Sequence, residues 1–159
     1  MNNIAKRSIN GIFPAMRPIV AGDMVIVYGT LMQGFGNHKR LEMGNPKFTR
    51  MVAPNIVVSG EMYDLGAFPG LRPVDPNKSL SHAAGEMYEI RDDSYGRRLD
   101  ILEGFNLDAP ERSLYIRSKY CPNLPVDGQI RDAMRGMRND NEVWIYYFND
   151  PMLDRRPRS

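Results

Sequence analysis

The apolar positions of this chain fall in short blocks whose spacing favours strands over helices. Met24-Val25-Ile26-Val27-Tyr28 is apolar and β-branched at its centre, the pattern of a buried strand, and Gly29 ends it. Asn37 to Met43 predicts a short helix, stopped by Gly44-Asn45-Pro46. Thr49 to Gly60 holds a second strand around Ile56-Val57-Val58, and Glu61 to Leu65 continues extended as far as the turn residues Gly66, Pro69 and Gly70. Pro73, Pro76 and Asn77 mark a loop. Gly85 to Ile90 reads as a half-buried strand, and Asp92 or Asp93 is placed to cap a helix running through Arg97, Leu99, Ile101 and Leu102 to Gly104. Leu114 to Tyr120 alternates in part, Pro122 to Asn141 is polar, turn-rich and insertion-like, and Val143 to Phe148 is the strongest strand pattern of all. About five or six strands with two or three short helices predict a mixed α+β domain whose sheet is curled or closed.

Composition narrows the function classes. With 159 residues, 42% hydrophobic and 25% charged, one ordinary core is expected. No block approaches the roughly 20 apolar residues of a membrane-spanning helix. Asn10, Gly11, Pro14 and Pro18 interrupt residues 1–23, which reads as an irregular lead-in and not a secretory signal. A formal net charge of +2 implies no general attraction to nucleic acid; Arg155, Arg156 and Arg158 sit in a basic tail, residues 151–159. Cys121 is alone, and His38 and His82 form no metal-ligand spacing, so neither a disulfide nor a metal is expected, and a cytoplasmic monomer is the simplest expectation.

Four segments bear on chemistry. Tyr28-Gly29-Thr30-Leu31 ends a strand, where glycine lets backbone approach a ligand and successive N–H groups can hold an anion; a plain turn is the alternative. In Leu99-Asp100-Ile101-Leu102-Glu103-Gly104-Phe105, Glu103 falls on the last turn of a helix, where the helix dipole and burial both raise a carboxyl pKa. A solvated surface glutamate is the alternative. Tyr63 to Gly70 forms a rigid loop, either a pocket wall or a turn. Tyr115 and Arg117 share one face of a strand, to fix a substrate, to support Glu103, or as an ordinary cross-strand pair.

Taken in order across residues 24–150, these segments resemble the γ-glutamylcyclotransferase-like family, most closely its γ-glutamylaminecyclotransferase branch. The resemblance rests on Val27 to Leu31, Gly34 with Asn37, Tyr63 to Gly66 with Pro69-Gly70, Gly85 to Tyr88, Leu99 to Phe105, Tyr115 to Arg117 and Val143 to Phe148. It implies a small β-barrel flanked by short helices, with a pocket at one mouth. It implies that Tyr28, Gly29, Thr30 and Leu31 hold the glutamyl end of a small-molecule substrate, with Tyr115 beside them. It implies that Glu103 is the acid/base in an intramolecular cyclisation releasing 5-oxoproline, without a cofactor. Phe105 departs from the Tyr common at that place, and Pro122 to Asn141 is longer than the family pattern. A non-catalytic binder of a small ligand on the same scaffold, and a protein acting through its surface segments, are the competing readings.

Overall fold

The computed structural model describes residues 7–66, 68–73, 81–122 and 128–149. Seven strands follow in chain order: β1 (Met24–Val27), β2 (Thr49–Ser59), β3 (Glu61–Asp64), β4 (Pro69–Arg72), β5 (His82–Ile90), β6 (Tyr115–Lys119) and β7 (Val143–Phe148). The α-helices are α1 (Gly36–Arg40), α2 (Asp93–Glu103) and α3 (Gly128–Met134), with 3-10 turns at Gly29–Leu31 and Pro110–Arg112. The class is α+β, as expected.

Five strands form one sheet in the order β2-β5-β1-β7-β6, and β3 and β4 form a separate hairpin. All neighbours run antiparallel except β1 and β7, which are parallel. Every residue of β1 and β7 is buried, because these central strands are covered on both faces. Their continuous apolar runs follow from that burial.

The expected barrel does not close: β2 and β6 are the two edges of an open sheet. The chain's own beginning occupies the β6 edge. Pro14 bridges to Ser118, and the Ala15 N–H donates to the Arg117 carbonyl at 2.7 Å. On the opposite edge β2 carries Pro54 and two register shifts, devices that blunt an edge against further pairing. Residues 7–23 form no helix or named strand, yet Ile12, Ala15 and Ile19 from them are part of the core.

Three elements differ from expectation. Helix α1 begins one residue earlier and ends three residues sooner than the spacing predicts. The segment expected as a rigid loop, Tyr63 to Gly70, holds the end of β3 and the start of β4, and these strands pair from Glu61–Arg72 to Asp64–Pro69. The polar stretch read as an insertion contains α3, whose Ile130 is fully buried.

Candidate active site

Glu103 is the last residue of α2, and the local sequence dictates that end. Asp92 caps the start by accepting the Ser94 N–H at 3.1 Å. Leu99 and Tyr95 bury one face of the helix. At the other end Gly104 takes the left-handed conformation, φ +68°. Its N–H donates to Ile101 O and the Phe105 N–H donates to Asp100 O at 2.8 Å, a Schellman ending. The Gly104 carbonyl then accepts the Leu114 N–H, so β6 starts directly beside the helix end and brings Tyr115 next to Glu103.

The half-buried Glu103 carboxyl faces a hollow of about 350 Å³, its open mouth included. The walls comprise Tyr28, Thr30, Leu31, Phe68, Pro69, Tyr115 and Tyr146, with Ile26 and Val27 from β1. Among the described residues Glu103 has no hydrogen-bond partner. Burial raises its pKa to about 7, and the Asp100 carboxylate one turn earlier pushes in the same direction. The dominant cause is therefore desolvation.

The turn Gly29–Leu31 forms the facing wall. Gly29 sits at φ +74°, and a Cβ there would lie 2.7 Å from Pro69 Cγ. Glycine thus lets the turn press against the β3–β4 hairpin, although Gly29 itself does not line the hollow. The Thr30 hydroxyl accepts from Asn37 Nδ2 at 2.8 Å, and His38 Nδ1 lies 3.0 Å from the Leu31 carbonyl, which fixes the proton on that nitrogen. The first N–H groups of a helical turn have no partner within it, so this backbone has donors to offer.

Two tyrosines hold the hairpin in place. The Tyr28 hydroxyl donates to the Tyr146 carbonyl and accepts the Leu71 N–H at 3.2 Å. The Tyr115 hydroxyl donates to the Pro69 carbonyl at 2.8 Å, and its ring meets Phe148 edge-on at 5.2 Å. Burial holds both phenols well above their ordinary pKa, and the nearby Glu103 adds to it. They meet any ligand as neutral, fixed hydroxyls.

Arg117 does not reach the hollow. It is fully buried and forks onto Asp100 through Nε and Nη2 at 2.9 and 3.0 Å. Its guanidinium centre lies 4.7 Å from the Trp144 ring and 5.2 Å from Phe105. Phe68 and Pro69, from the segment expected to be either a pocket wall or a turn, line the hollow, whereas Tyr146 was not among the candidate site residues. Tyr146 lines the hollow and donates its hydroxyl to Asp100 at 2.6 Å. Because β7 is buried on both faces, it has no alternation from which a pocket-facing residue stands out. Among the described residues, no group of three or more His, Cys, Asp or Glu is placed to hold a metal ion. Nor is any helix there long and apolar enough to cross a membrane.

Known proteins resemble this chain in fold and in sequence. A crystal structure of YkqA from Bacillus subtilis superposes with a TM-score of 0.52 at 20% identity, over 80% of this chain and 36% of that longer one. The crystal structure of an AIG2-like protein from Mus musculus gives 0.50 at 23% identity, over 81% and 77% of the two chains. In sequence, a Methanocaldococcus jannaschii protein named "Putative gamma-glutamylcyclotransferase MJ1514" is 29% identical over 128 residues, 79% of this chain and 84% of that protein. The family model described as gamma-glutamyl cyclotransferase, AIG2-like, matches residues 25–159, which takes in the turn at Gly29, the helix ending at Glu103 and every strand of the sheet except the first residue of β1. The chain belongs to that gamma-glutamyl cyclotransferase, AIG2-like family.

Proposed function

We propose that the protein is a γ-glutamyl cyclotransferase that releases 5-oxoproline from a γ-glutamyl amine or a related γ-glutamyl compound. Glu103 is its acid/base residue. The observation that carries this reading is the placement of one half-buried carboxyl, without a hydrogen-bond partner among the described residues and with a pKa of about 7, across a hollow from the Gly29–Leu31 turn. A pure binder of an anionic ligand gains nothing from a carboxylate at that place.

The chemistry needs little more. The substrate's α-nitrogen attacks its own γ-carbonyl carbon, forming the ring C–N bond, and the bond from that carbon to the leaving nitrogen then breaks. Of the three protons on the substrate ammonium, one stays on the lactam nitrogen. Two reach the leaving amine, which departs as an ammonium. Glu103 takes a proton from the attacking nitrogen and returns it to the leaving one, and a pKa near the working pH suits both steps. Because attack is intramolecular, holding the chain folded removes much of the barrier, about 7–11 kcal/mol in the best-oriented cases. Among the described residues, none that lines the hollow is Lys, Arg or His. The substrate's α-carboxylate and the developing oxyanion therefore fall to neutral donors, the backbone N–H groups of the turn at 29–31.

Incubation with γ-glutamyl amines, γ-glutamyl amino acids and γ-glutamyl peptides, with 5-oxoproline read by chromatography, tests the activity. Release from at least one class is expected. Saturable binding of these compounds without any release identifies a non-catalytic binder and overturns the proposal.

A further inference from the structure

Behind Glu103 lies a second carboxylate that the reaction scheme does not use. Asp100 precedes Glu103 by three positions on α2, so the two side chains emerge on the same side of the helix, one turn apart. Asp100 accepts three hydrogen bonds: Arg117 Nε at 2.9 Å, Arg117 Nη2 at 3.0 Å and the Tyr146 hydroxyl at 2.6 Å. These come from β6 and β7, so one side chain ties the last turn of α2 to two sheet strands. Arg117 is itself immobilised. Its Nη2 also donates to the Arg17 carbonyl at 3.0 Å, and its plane lies near the rings of Trp144 and Phe105. Tyr146 lies in the wall of the hollow while its hydroxyl holds Asp100, so substrate cavity and tether share a residue.

Building a buried ion pair only to stabilise a fold is a poor investment, since well-packed apolar residues serve as well or better. We propose that Asp100, locked by Arg117 and Tyr146, is the positioning residue that fixes the last turn of α2 and thereby aims the Glu103 carboxyl into the hollow. This rests on Glu103 being the acid/base group. The ionisable groups around Glu103 are Asp100 on its own helix, Tyr28 after β1, Tyr115 on β6 and Tyr146 on β7. The tyrosines stay neutral at working pH, so among these groups Asp100 is the charge that acts on Glu103.

The test uses the full chain and Asp100→Asn, which keeps the shape and the Tyr146 hydrogen bond while removing the charge. Carbon-detected NMR of labelled glutamate carboxyls follows Glu103 directly, whatever the activity. In Asp100→Asn the Glu103 midpoint is expected to move down, burial keeping it above the ordinary glutamate range, and the acid limb of kcat/KM to move down with it, with kcat lowered and KM retained as the carboxyl loses its aim. If Asp100→Asn does not fold, Asp100→Asn with Arg117→Met removes both charges together and is read in the same way. A folded variant with an unchanged Glu103 midpoint and unchanged pH profile overturns the proposal. If the wild type releases no 5-oxoproline, the functional reading fails, while the NMR midpoint still decides the role of Asp100.

Discussion

At the residue scale, Glu103 separates catalysis from stability. A carboxyl whose pKa is raised from 4.5 to about 7 by burial is easily protonated in the folded state, so the native protein holds a proton that the unfolded chain has released between those values. Its presence therefore weakens the fold as pH rises through that window, by about 3 kcal/mol once ionised. Below pH 4.5 the effect is absent. Glu103→Gln is expected to fold, and its stability relative to wild type should rise between pH 5 and pH 8 in urea unfolding, whatever the substrate. Gly29→Val tests the facing wall. The positive φ and the 2.7 Å approach to Pro69 both oppose a side chain, so a loss of about 2 kcal/mol of stability and weaker ligand binding are expected. Titration calorimetry with a γ-glutamyl ligand checks it. Glu103, Tyr28, Thr30, Leu31 and Tyr115 line one hollow, yet along the chain they stand in separate segments, each open to a plain structural reading, and only the family resemblance draws them together. Tyr146 was not legible, because its strand is apolar on both faces, and the lock on Asp100 is a contact between distant segments.

At the element scale, α2 is the device that presents Glu103, the proposed acid/base group, and its packing is closer than its composition implies. Gly96 lies inside the helix, where alanine is ordinarily better by about 1 kcal/mol. Yet a Cβ at that position would stand 2.5 Å from Ile19 Cβ and 3.2 Å from the Ile19 carbonyl. Overpacking wins over propensity, so Gly96→Ala should lower stability by about 1–3 kcal/mol in place of raising it. Thermal unfolding of the two proteins decides between these effects. Strands β1, β2, β5, β6 and β7 and helix α2 were readable from periodicity and caps. Strand β4 was not, because its Pro69-Gly70 start carries the marks of a turn and its pairing with β3 is the only reason it is extended. Helix α3 was hidden by its polar face, since Ile130 alone of its residues is buried.

At the scale of the whole molecule, the beginning of the chain is bound into the sheet through Asp23. This buried carboxylate accepts from Arg17, from the backbone N–H groups of Val20 and Glu142, and from the Trp144 indole at 2.9 Å. Burial alone would raise its pKa, but these hydrogen bonds overcome burial and lower it to about 2. The stabilisation is fully present above the unfolded value near 3.8 and is lost as pH falls through about 2. Asp23→Ala should cost roughly 3 kcal/mol at neutral pH and much less at pH 2, as acid-unfolding curves will show. The same lead-in explains why the expected barrel stays open: the closing edge is filled by residues 14 and 15, a long-range choice that local patterns do not encode. The central claim is that one carboxyl in the hollow performs the proton transfers of cyclisation. Its most direct test is the rate of 5-oxoproline formation from a turned-over γ-glutamyl substrate by wild type and Glu103→Gln at equal, saturating occupancy. A fall in kcat of roughly 100-fold or more with ligand affinity retained is predicted. Turnover by Glu103→Gln at the wild-type rate contradicts the account.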